Sequence, residues 1–179
     1  MTTTKPYLFL DFDDVLNCRR IPFHEYLIEV EASSIPRHAF INTPSGEVVT
    51  FIVRIPNAYP SWLAELSTRY ELAWATTWET LANTYLAPLL GLDDNLPVVE
   101  FSKHPPSLDQ IRRDDVAEWK WEQLAEFAGE RPFVFIDDAA DRIANRFPMR
   151  DSLNHCAIFA PHGLLREHVD ALLTHADTL

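Results

Sequence analysis

Short apolar runs alternate with amphipathic stretches along most of the chain. Five short runs consist mostly of large apolar residues, which is typical of strands buried on both faces of a sheet. These runs cover residues 7–10, 70–75, 96–101, 132–136 and 156–160. Segments with helical periodicity separate them, at residues 60–67, 79–90, 119–128, 139–147 and 163–172. Strands that alternate with helices predict an α/β layered fold with a mainly parallel sheet.

A different pattern lies between the first strand and the first predicted helix. Residues 24–30 fit either a strand or a short helix, because their periodicity does not decide. Ala39–Ile41 and Val48–Ile55 flank a run with Pro and Gly at residues 43–47, which is typical of a β-hairpin. We therefore predict a small β-hairpin insertion at about residues 18–57.

Length and composition predict one globular domain over residues 1–179, with 47% apolar and 23% charged residues. The net charge of −12 argues against tight, non-specific binding to long nucleic acids. Two cysteines without metal-type spacing imply no disulfide framework. The N-terminus lacks an apolar signal region, and no apolar run has membrane-spanning length. We expect a cytoplasmic protein with no membrane association and no obligate protein partner.

Polar side chains directly follow three of the predicted strands. These residues are Asp11, Asp13 and Asp14 after the first, Thr76 after the second, and Asp137 and Asp138 after the fourth. In open parallel sheets such strand ends meet at one edge, where ligands bind. Carboxylates at this density repel one another and are hard to desolvate, and Mg²⁺ is the simplest cation to offset them. The alternative is a set of unrelated solvated turns and helix caps, which would have to coincide at three strands.

These residues resemble the motifs of haloacid dehalogenase (HAD) superfamily phosphohydrolases. Leu10–Val15 matches the first motif, an apolar strand followed by D-x-D-x-[VT], and Leu72–Thr76 matches the second. Lys120 stands where the lysine of the third motif is expected, and Phe135–Asp138 matches the fourth. The resemblance implies a three-layer, Rossmann-like HAD fold in which the hairpin is a minimal cap.

A narrower resemblance concerns a bacterial subgroup of HAD domains, known alone and fused within multi-domain RNA-repair proteins. It is carried by Trp74–Glu79, by Pro88–Leu92 and by Lys120-Trp121. This resemblance implies a nucleic-acid end or a nucleotide as substrate. The acidic net charge favours a small phosphometabolite instead, so both substrate classes stay open.

The resemblance to HAD enzymes also implies roles for the site residues. Asp11 would attack phosphorus and form an aspartyl phosphate, and Asp13 would act as general acid and then general base. Mg²⁺ would be held by Asp11, the main-chain carbonyl of Asp13 and Asp137, with support from Asp138. Thr76 and Lys120 would stabilise the phosphoryl oxygens. These last two roles complete the predicted catalytic set of Asp11, Asp13, Thr76 and Lys120.

Several points stay open at this level. Lys103 is the alternative to Lys120, and Arg19 and Arg20 could meet an anionic substrate or be solvated. Asp14 stands where such chains usually have Gly, and its carboxylate could tighten cation binding or repel phosphate.

Two other classes of function deserve comparison with a phosphatase. A receiver domain is disfavoured because its Lys follows its Thr near the chain end, whereas Asp137-Asp138 comes after both here. A non-catalytic HAD-like module that binds phosphate remains the competing hypothesis. The intact pair Asp11 and Asp13 argues against it.

Overall fold

The structure is a computed structural model that describes residues 4–18, 27–36, 48–104, 106–107, 116–149 and 154–179. Within these ranges, four strands form a parallel sheet with the spatial order β4-β1-β5-β6. The strands are β1 (Tyr7–Leu10), β4 (Glu71–Trp74), β5 (Phe133–Asp137) and β6 (His155–Phe159). The predicted α/β fold with a mainly parallel central sheet is therefore confirmed, and the sheet is Rossmann-like.

Both faces of the sheet are buried, as the continuous apolar runs predicted. Alternate residues point to opposite faces, so Leu8, Leu10 and Ile136 belong to one apolar core while Phe9 and Phe135 belong to the other. Strand register places Leu10 beside Trp74 on one side and beside Ile136 on the other. The sheet is thus the middle of three layers.

Helices cover the two faces. Helix α1 (Tyr59–Ser67) and α4 (Arg166–Ala176) pack on the first core through apolar residues such as Leu63 and Leu172. Helix α2 (Val116–Ala128) and α3 (Asp141–Arg146) pack on the second core, where Leu124 and Ile143 are buried. None of the helices in the described ranges combines the length and apolar character needed to cross a bilayer.

Two predicted elements differ from the structure. The helix predicted over residues 79–90 consists of a π-helical turn (Ala82–Leu86) followed by a 3₁₀ turn (Ala87–Leu90). Pro88 explains the break, because it has no N–H to donate and its ring clashes with the preceding turn. The strand predicted over residues 96–101 is reduced to one bridge between Val98 and Trp74, since Pro97 cannot donate to a neighbouring strand.

The predicted insertion contains an antiparallel pair, β2 (Leu27–Pro36) and β3 (Val48–Pro56). The arm that the structure describes before β3 is residues 27–36, a strand where the sequence left strand and short helix open for residues 24–30. Ala39–Ile41 and the turn at residues 43–47 lie outside the described residues. The base of β3 docks on the main domain, where Val53 and Ile55 join the first core.

Candidate active site

The carboxyl ends of β1, β4 and β5 meet at one edge of the sheet. The N–H of Asp11 donates to the carbonyl of Ile136 at 3.1 Å, and the N–H of Ala75 donates to the carbonyl of Leu10 at 2.9 Å. These two bonds hold the first residues after β1 and β4 in register with the end of β5. Asp11, Thr76 and Asp137 consequently emerge at the same edge, as the sequence predicted.

Lys120 lies inside this group of carboxylates. Its Nζ is 2.7 Å from Oδ2 of Asp137 and 3.2 Å from Oδ1 of Asp11, and all three side chains are buried. The rings of Phe101 and Phe135 each lie 6.0 Å from the ammonium group. Lys120 extends from the first turns of α2, on the face that also buries Ala117 and Leu124. A lysine on a buried helical face is therefore fixed between two strand ends.

Asp11, Asp137 and Asp138 each place one carboxylate oxygen within 4.8 Å of the others. The remaining Asp137 oxygen, Oδ1, accepts the N–H of Ala139 at 2.7 Å. The buried carboxylates of Asp11 and Asp137, with the half-buried carboxylate of Asp138 beside them, exceed the single positive charge of Lys120. Oxygen donors with such an excess fit a hard divalent cation such as Mg²⁺. The residues present therefore fit the metal that the sequence predicted.

Burial also changes the proton affinity of this group. Burial raises the pKa of the Asp11 carboxyl to about 7, Lys120 opposes the rise and Asp137 adds to it. Burial disfavours the charged form of Lys120, but Asp11 and Asp137 outweigh it, so the pKa of Lys120 is above its usual value. Lys120 is therefore a permanent cation at this site, whereas the charge of Asp11 depends on what else is bound.

Thr76 is buried at the start of a tight turn that follows β4. The N–H of Glu79 donates to the Thr76 carbonyl at 3.0 Å, and Glu79 has a φ of 47°, in the left-handed region. The Glu79 carboxylate accepts the hydroxyl of Ser102 at 2.9 Å and also its N–H. A left-handed conformation costs free energy in a residue that has a Cβ. The hydrogen bonds of the Glu79 side chain offset this cost, which explains why this position has Glu and not Gly. The turn that presents Thr76 is therefore tied to the segment before α2.

Asp13 is not a member of the three-carboxylate group, and its carboxylate accepts two side-chain donors. Trp78 Nε1 donates to its Oδ2 at 3.1 Å, and Asn17 Nδ2 donates to its Oδ1 at 3.2 Å. Neither Asn17 nor Trp78 was predicted as a site residue. Their proximity to Asp13 depends on the turns after β1 and β4, which have no clear sequence pattern.

Asp14 occupies the position where Gly was expected. The backbone conformation at this position suits Gly and also accommodates Asp. Its φ is 62°, a left-handed conformation that Gly adopts freely and Asp tolerates better than most residues. The N–H of Asp14 donates to the carbonyl of Asn17 at 3.1 Å and closes the turn. Asp14 does not belong to the three-carboxylate group.

Other candidates from the sequence have different surroundings. Lys103 is exposed and pairs with Glu100, so the structure brings Lys120 and not Lys103 to the carboxylates. Arg19 and Arg20 lie outside the described residues. Four tryptophans in the segments that carry the sequence motifs or lie next to them are buried. They are Trp74, Trp78, Trp119 and Trp121.

A parallel sheet with an acidic pair after β1, a hydroxyl after β4 and paired carboxylates after β5 defines the class of HAD-type phosphohydrolase domains. The chain belongs to one family of this class, the HAD domain in Swiss Army Knife RNA repair proteins, whose family model matches residues 7–169. The match includes every predicted site residue. No curated protein matches the chain.

Proposed function

We propose that this protein is a Mg²⁺-dependent phosphatase that hydrolyses phosphate monoesters through an aspartyl-phosphate intermediate on Asp11. The observation that carries the proposal is the position of Lys120 Nζ, 3.2 Å from Asp11 and 2.7 Å from Asp137, in a buried group that has an excess of carboxylates. A purely structural site would have no reason to bury two acidic side chains around one lysine and to place a third, half-buried carboxylate beside them. A site for a phosphoryl group and a cation needs this arrangement.

In the first step, an oxygen of Asp11 attacks phosphorus, and the bond between phosphorus and the leaving oxygen breaks. Asp13 gives its proton to the leaving oxygen, so the product departs as an alcohol. Thr76 donates a hydrogen bond to a phosphoryl oxygen, and Lys120 balances the negative charge.

In the second step, Asp13 takes a proton from a water molecule that attacks the phosphorus of the aspartyl phosphate. The acyl phosphate bond breaks, which frees Asp11 and releases inorganic phosphate. The carboxylates of Asp11 and Asp137 and the main-chain carbonyl of Asp13 would hold Mg²⁺, which would supply positive charge that offsets the repulsion between phosphate and carboxylates. Asp138 adds a further carboxylate oxygen beside these ligands.

The substrate we favour is a phosphorylated RNA end. The family is one of HAD domains in RNA repair proteins, and a phosphatase in such a protein would act on a phosphorylated RNA end. The predicted insertion at about residues 18–57 is small, and a small cap permits a large substrate because it covers less of the site. The net charge of −12 supports a second candidate, a small phosphometabolite, for which no extended phosphate backbone has to be bound.

The experiment is a phosphate-release screen in Mg²⁺ and in EDTA. The substrates are oligoribonucleotides with 3′ or 5′ phosphates, nucleoside monophosphates, sugar phosphates and p-nitrophenyl phosphate. We expect Mg²⁺-dependent release that falls by orders of magnitude in Asp11→Asn. Asp94→Asn, the same charge change in an exposed turn, serves as the matched control and keeps full activity.

Four outcomes distinguish the possible functions. Preferred hydrolysis of RNA ends supports RNA end healing, and preferred hydrolysis of sugar phosphates supports the second candidate. Retained activity in folded Asp11→Asn protein would refute the covalent mechanism. A folded wild type that binds phosphate but releases none from any substrate would show a non-catalytic module.

A further inference from the structure

Each carboxylate oxygen of Asp13 accepts a hydrogen bond from a different buried side chain. Trp78 Nε1 donates to Oδ2 at 3.1 Å, and Asn17 Nδ2 donates to Oδ1 at 3.2 Å. We propose that Trp78, together with Asn17, is a positioning residue that holds the Asp13 carboxyl group in the orientation that proton transfer requires. The inference rests on the proposed function, in which Asp13 is the general acid and base.

Trp78 is fixed within the core. Its side chain is 1% exposed, and its ring meets the ring of Phe12 edge to face at 5.8 Å between centroids. Phe12 lies between Asp11 and Asp13 in the chain, so the indole packs on the loop that carries both carboxylates. The main-chain N–H of Trp78 also lies 3.4 Å from the hydroxyl of Thr76. The indole N–H therefore cannot turn away from Asp13 unless this part of the core opens.

Asn17 is fixed from the opposite side. It is 4% exposed, and its Oδ1 accepts the main-chain N–H of Arg54 in β3 at 2.9 Å. Because the amide oxygen is bound to a donor, the NH₂ group must be the end that faces Asp13. The N–H of Cys18 donates to the carbonyl of Arg54 at 2.8 Å, which holds the same two segments together. The position of the Asn17 donor is thus set by the base of the hairpin.

Two donors at opposite ends of a carboxyl group restrict its rotation about the Cβ–Cγ bond. Each oxygen that accepts one N–H retains a second lone pair, so Asp13 can still carry and transfer a proton. A general acid must lie within hydrogen-bond reach of the leaving oxygen, and small displacements cost large factors in rate. Loss of the Trp78 donor should therefore slow reactions that depend on the proton from Asp13.

The dependence on the leaving group distinguishes positioning from a general loss of structure. An alkoxide leaves well only when it is protonated as the phosphorus–oxygen bond breaks, whereas p-nitrophenolate leaves as a stable anion. The value of kcat/KM reports the reaction up to phosphoryl transfer. The ratio of kcat/KM for an alkyl phosphate to kcat/KM for p-nitrophenyl phosphate therefore isolates the contribution of the acid.

The experiment compares Trp78→Phe with Trp74→Phe. Both substitutions remove an indole N–H from a buried ring, but Trp74 Nε1 donates to Asn83 Oδ1 at 2.9 Å and not to a site carboxylate. The alkyl substrate is the phosphorylated RNA end that the wild type cleaves fastest, or β-glycerophosphate if no RNA end is cleaved. We expect the ratio to fall by about tenfold or more in Trp78→Phe and to stay at the wild-type value in Trp74→Phe.

If Trp78→Phe does not fold, replacement of Trp78 by 3-benzothienylalanine keeps the bicyclic ring and removes only the N–H, and the same fall is expected. An unchanged ratio in the Trp78 variant overturns the assignment, and so does an equal loss on both substrates. A wild type inactive on alkyl phosphates also overturns it, because no proton delivery would then need positioning. Retained activity in Asp11→Asn would instead identify a failure of the proposed function itself.

Discussion

The ammonium group of Lys120 lies 2.7 Å from Oδ2 of Asp137, and both side chains are buried. The contact joins a helix to the end of a strand 17 residues later in the chain. Lys120 also reaches Asp11 on the neighbouring strand, so one cation holds the two strand ends together. This contact gives Lys120 a structural role in addition to its proposed role in the site, and the two contributions can be separated.

Lys120→Met should reduce both stability and activity. Removal of one member of a buried ion pair leaves uncompensated charge, which typically costs about 3–5 kcal/mol. We expect the loss of unfolding free energy to be smaller in Mg²⁺ than in EDTA, because a bound cation replaces part of the missing charge. Phosphate release should fall by about a hundredfold or more, since Lys120 no longer balances charge on the phosphoryl group. Urea denaturation and steady-state assays measure the two effects.

Lys103→Met is the matched control for that variant. Lys103 is exposed and paired with Glu100, so its loss should change stability by less than about 0.5 kcal/mol and leave activity intact. A large loss of activity in Lys103→Met with normal Lys120→Met turnover would show that the wrong lysine has been assigned to the site.

Mg²⁺ affinity should rise with pH between about pH 6 and pH 8. Burial raises the pKa of Asp11 to about 7 in the absence of metal, so at the lower pH the carboxyl is mostly protonated and a cation must displace the proton. A group with this pKa predicts an affinity change of roughly tenfold over this interval. Calorimetric titration in buffers with different ionisation enthalpies measures both the affinity and the released proton.

The same pKa shift has a consequence for the metal-free fold. Since the folded state holds the Asp11 proton more tightly than the unfolded state, this group stabilises the fold at low pH. That contribution is lost as the pH rises through about 7.

Asp11→Asn should flatten the pH dependence of Mg²⁺ binding, and a pH dependence that survives in this variant would assign the released proton to another residue.

Asp14 allows a direct test of backbone strain. Its φ of 62° suits Gly, so Asp14→Ala should be less stable than Asp14→Gly by about 1 kcal/mol or slightly more. Both variants lack the carboxylate, and the comparison therefore isolates the backbone. Because Asp14 lies outside the three-carboxylate group, Asp14→Gly should keep the wild-type Mg²⁺ requirement. A weaker Mg²⁺ dependence would show that the carboxylate of Asp14 does act on the cation.

Much of the fold could be predicted because a strand that is buried on both faces appears in the sequence as a short run of apolar residues. Residues 7–10, for example, form a strand buried on both faces and consist of large apolar side chains. Strand and helix ends differ by one or two residues in most cases, which is the usual uncertainty of terminal turns. Helix α2 begins three residues earlier than predicted, and α4 ends four residues later. The two segments whose structure differs in kind contain Pro88 and Pro97, whose missing N–H groups were visible in the sequence but whose effect on neighbours was not.

The site was predictable where chain order alone brings residues together. Carboxyl ends of neighbouring parallel strands must meet, so Asp11, Thr76 and Asp137 could be placed at one edge from their positions after β1, β4 and β5. Trp78 and Asn17 depend on the detailed course of two turns and on the docking of β3. No periodicity encodes such turns, and both donors to Asp13 were therefore missed.

The final prediction concerns Gly163, which lies behind the loop that follows Asp13. Gly163 has a φ of 89°, and a Cβ at this position would lie 2.9 Å from Cys18 Sγ and 3.1 Å from the hydroxyl of Tyr59. Tyr59 cannot easily yield, because its hydroxyl donates to the Leu164 carbonyl at 2.8 Å. Gly163→Ala therefore combines backbone strain with overpacking and should lower the unfolding free energy by roughly 2–4 kcal/mol in urea denaturation. Gly129→Ala is the matched control, because its φ of 60° imposes the strain while no atom lies within 4 Å of the added Cβ, so a loss of only about 1 kcal/mol is expected. Equal losses in the two variants would mean that the contacts around Cys18 and Tyr59 rearrange without cost, and that backbone strain alone accounts for the requirement for glycine.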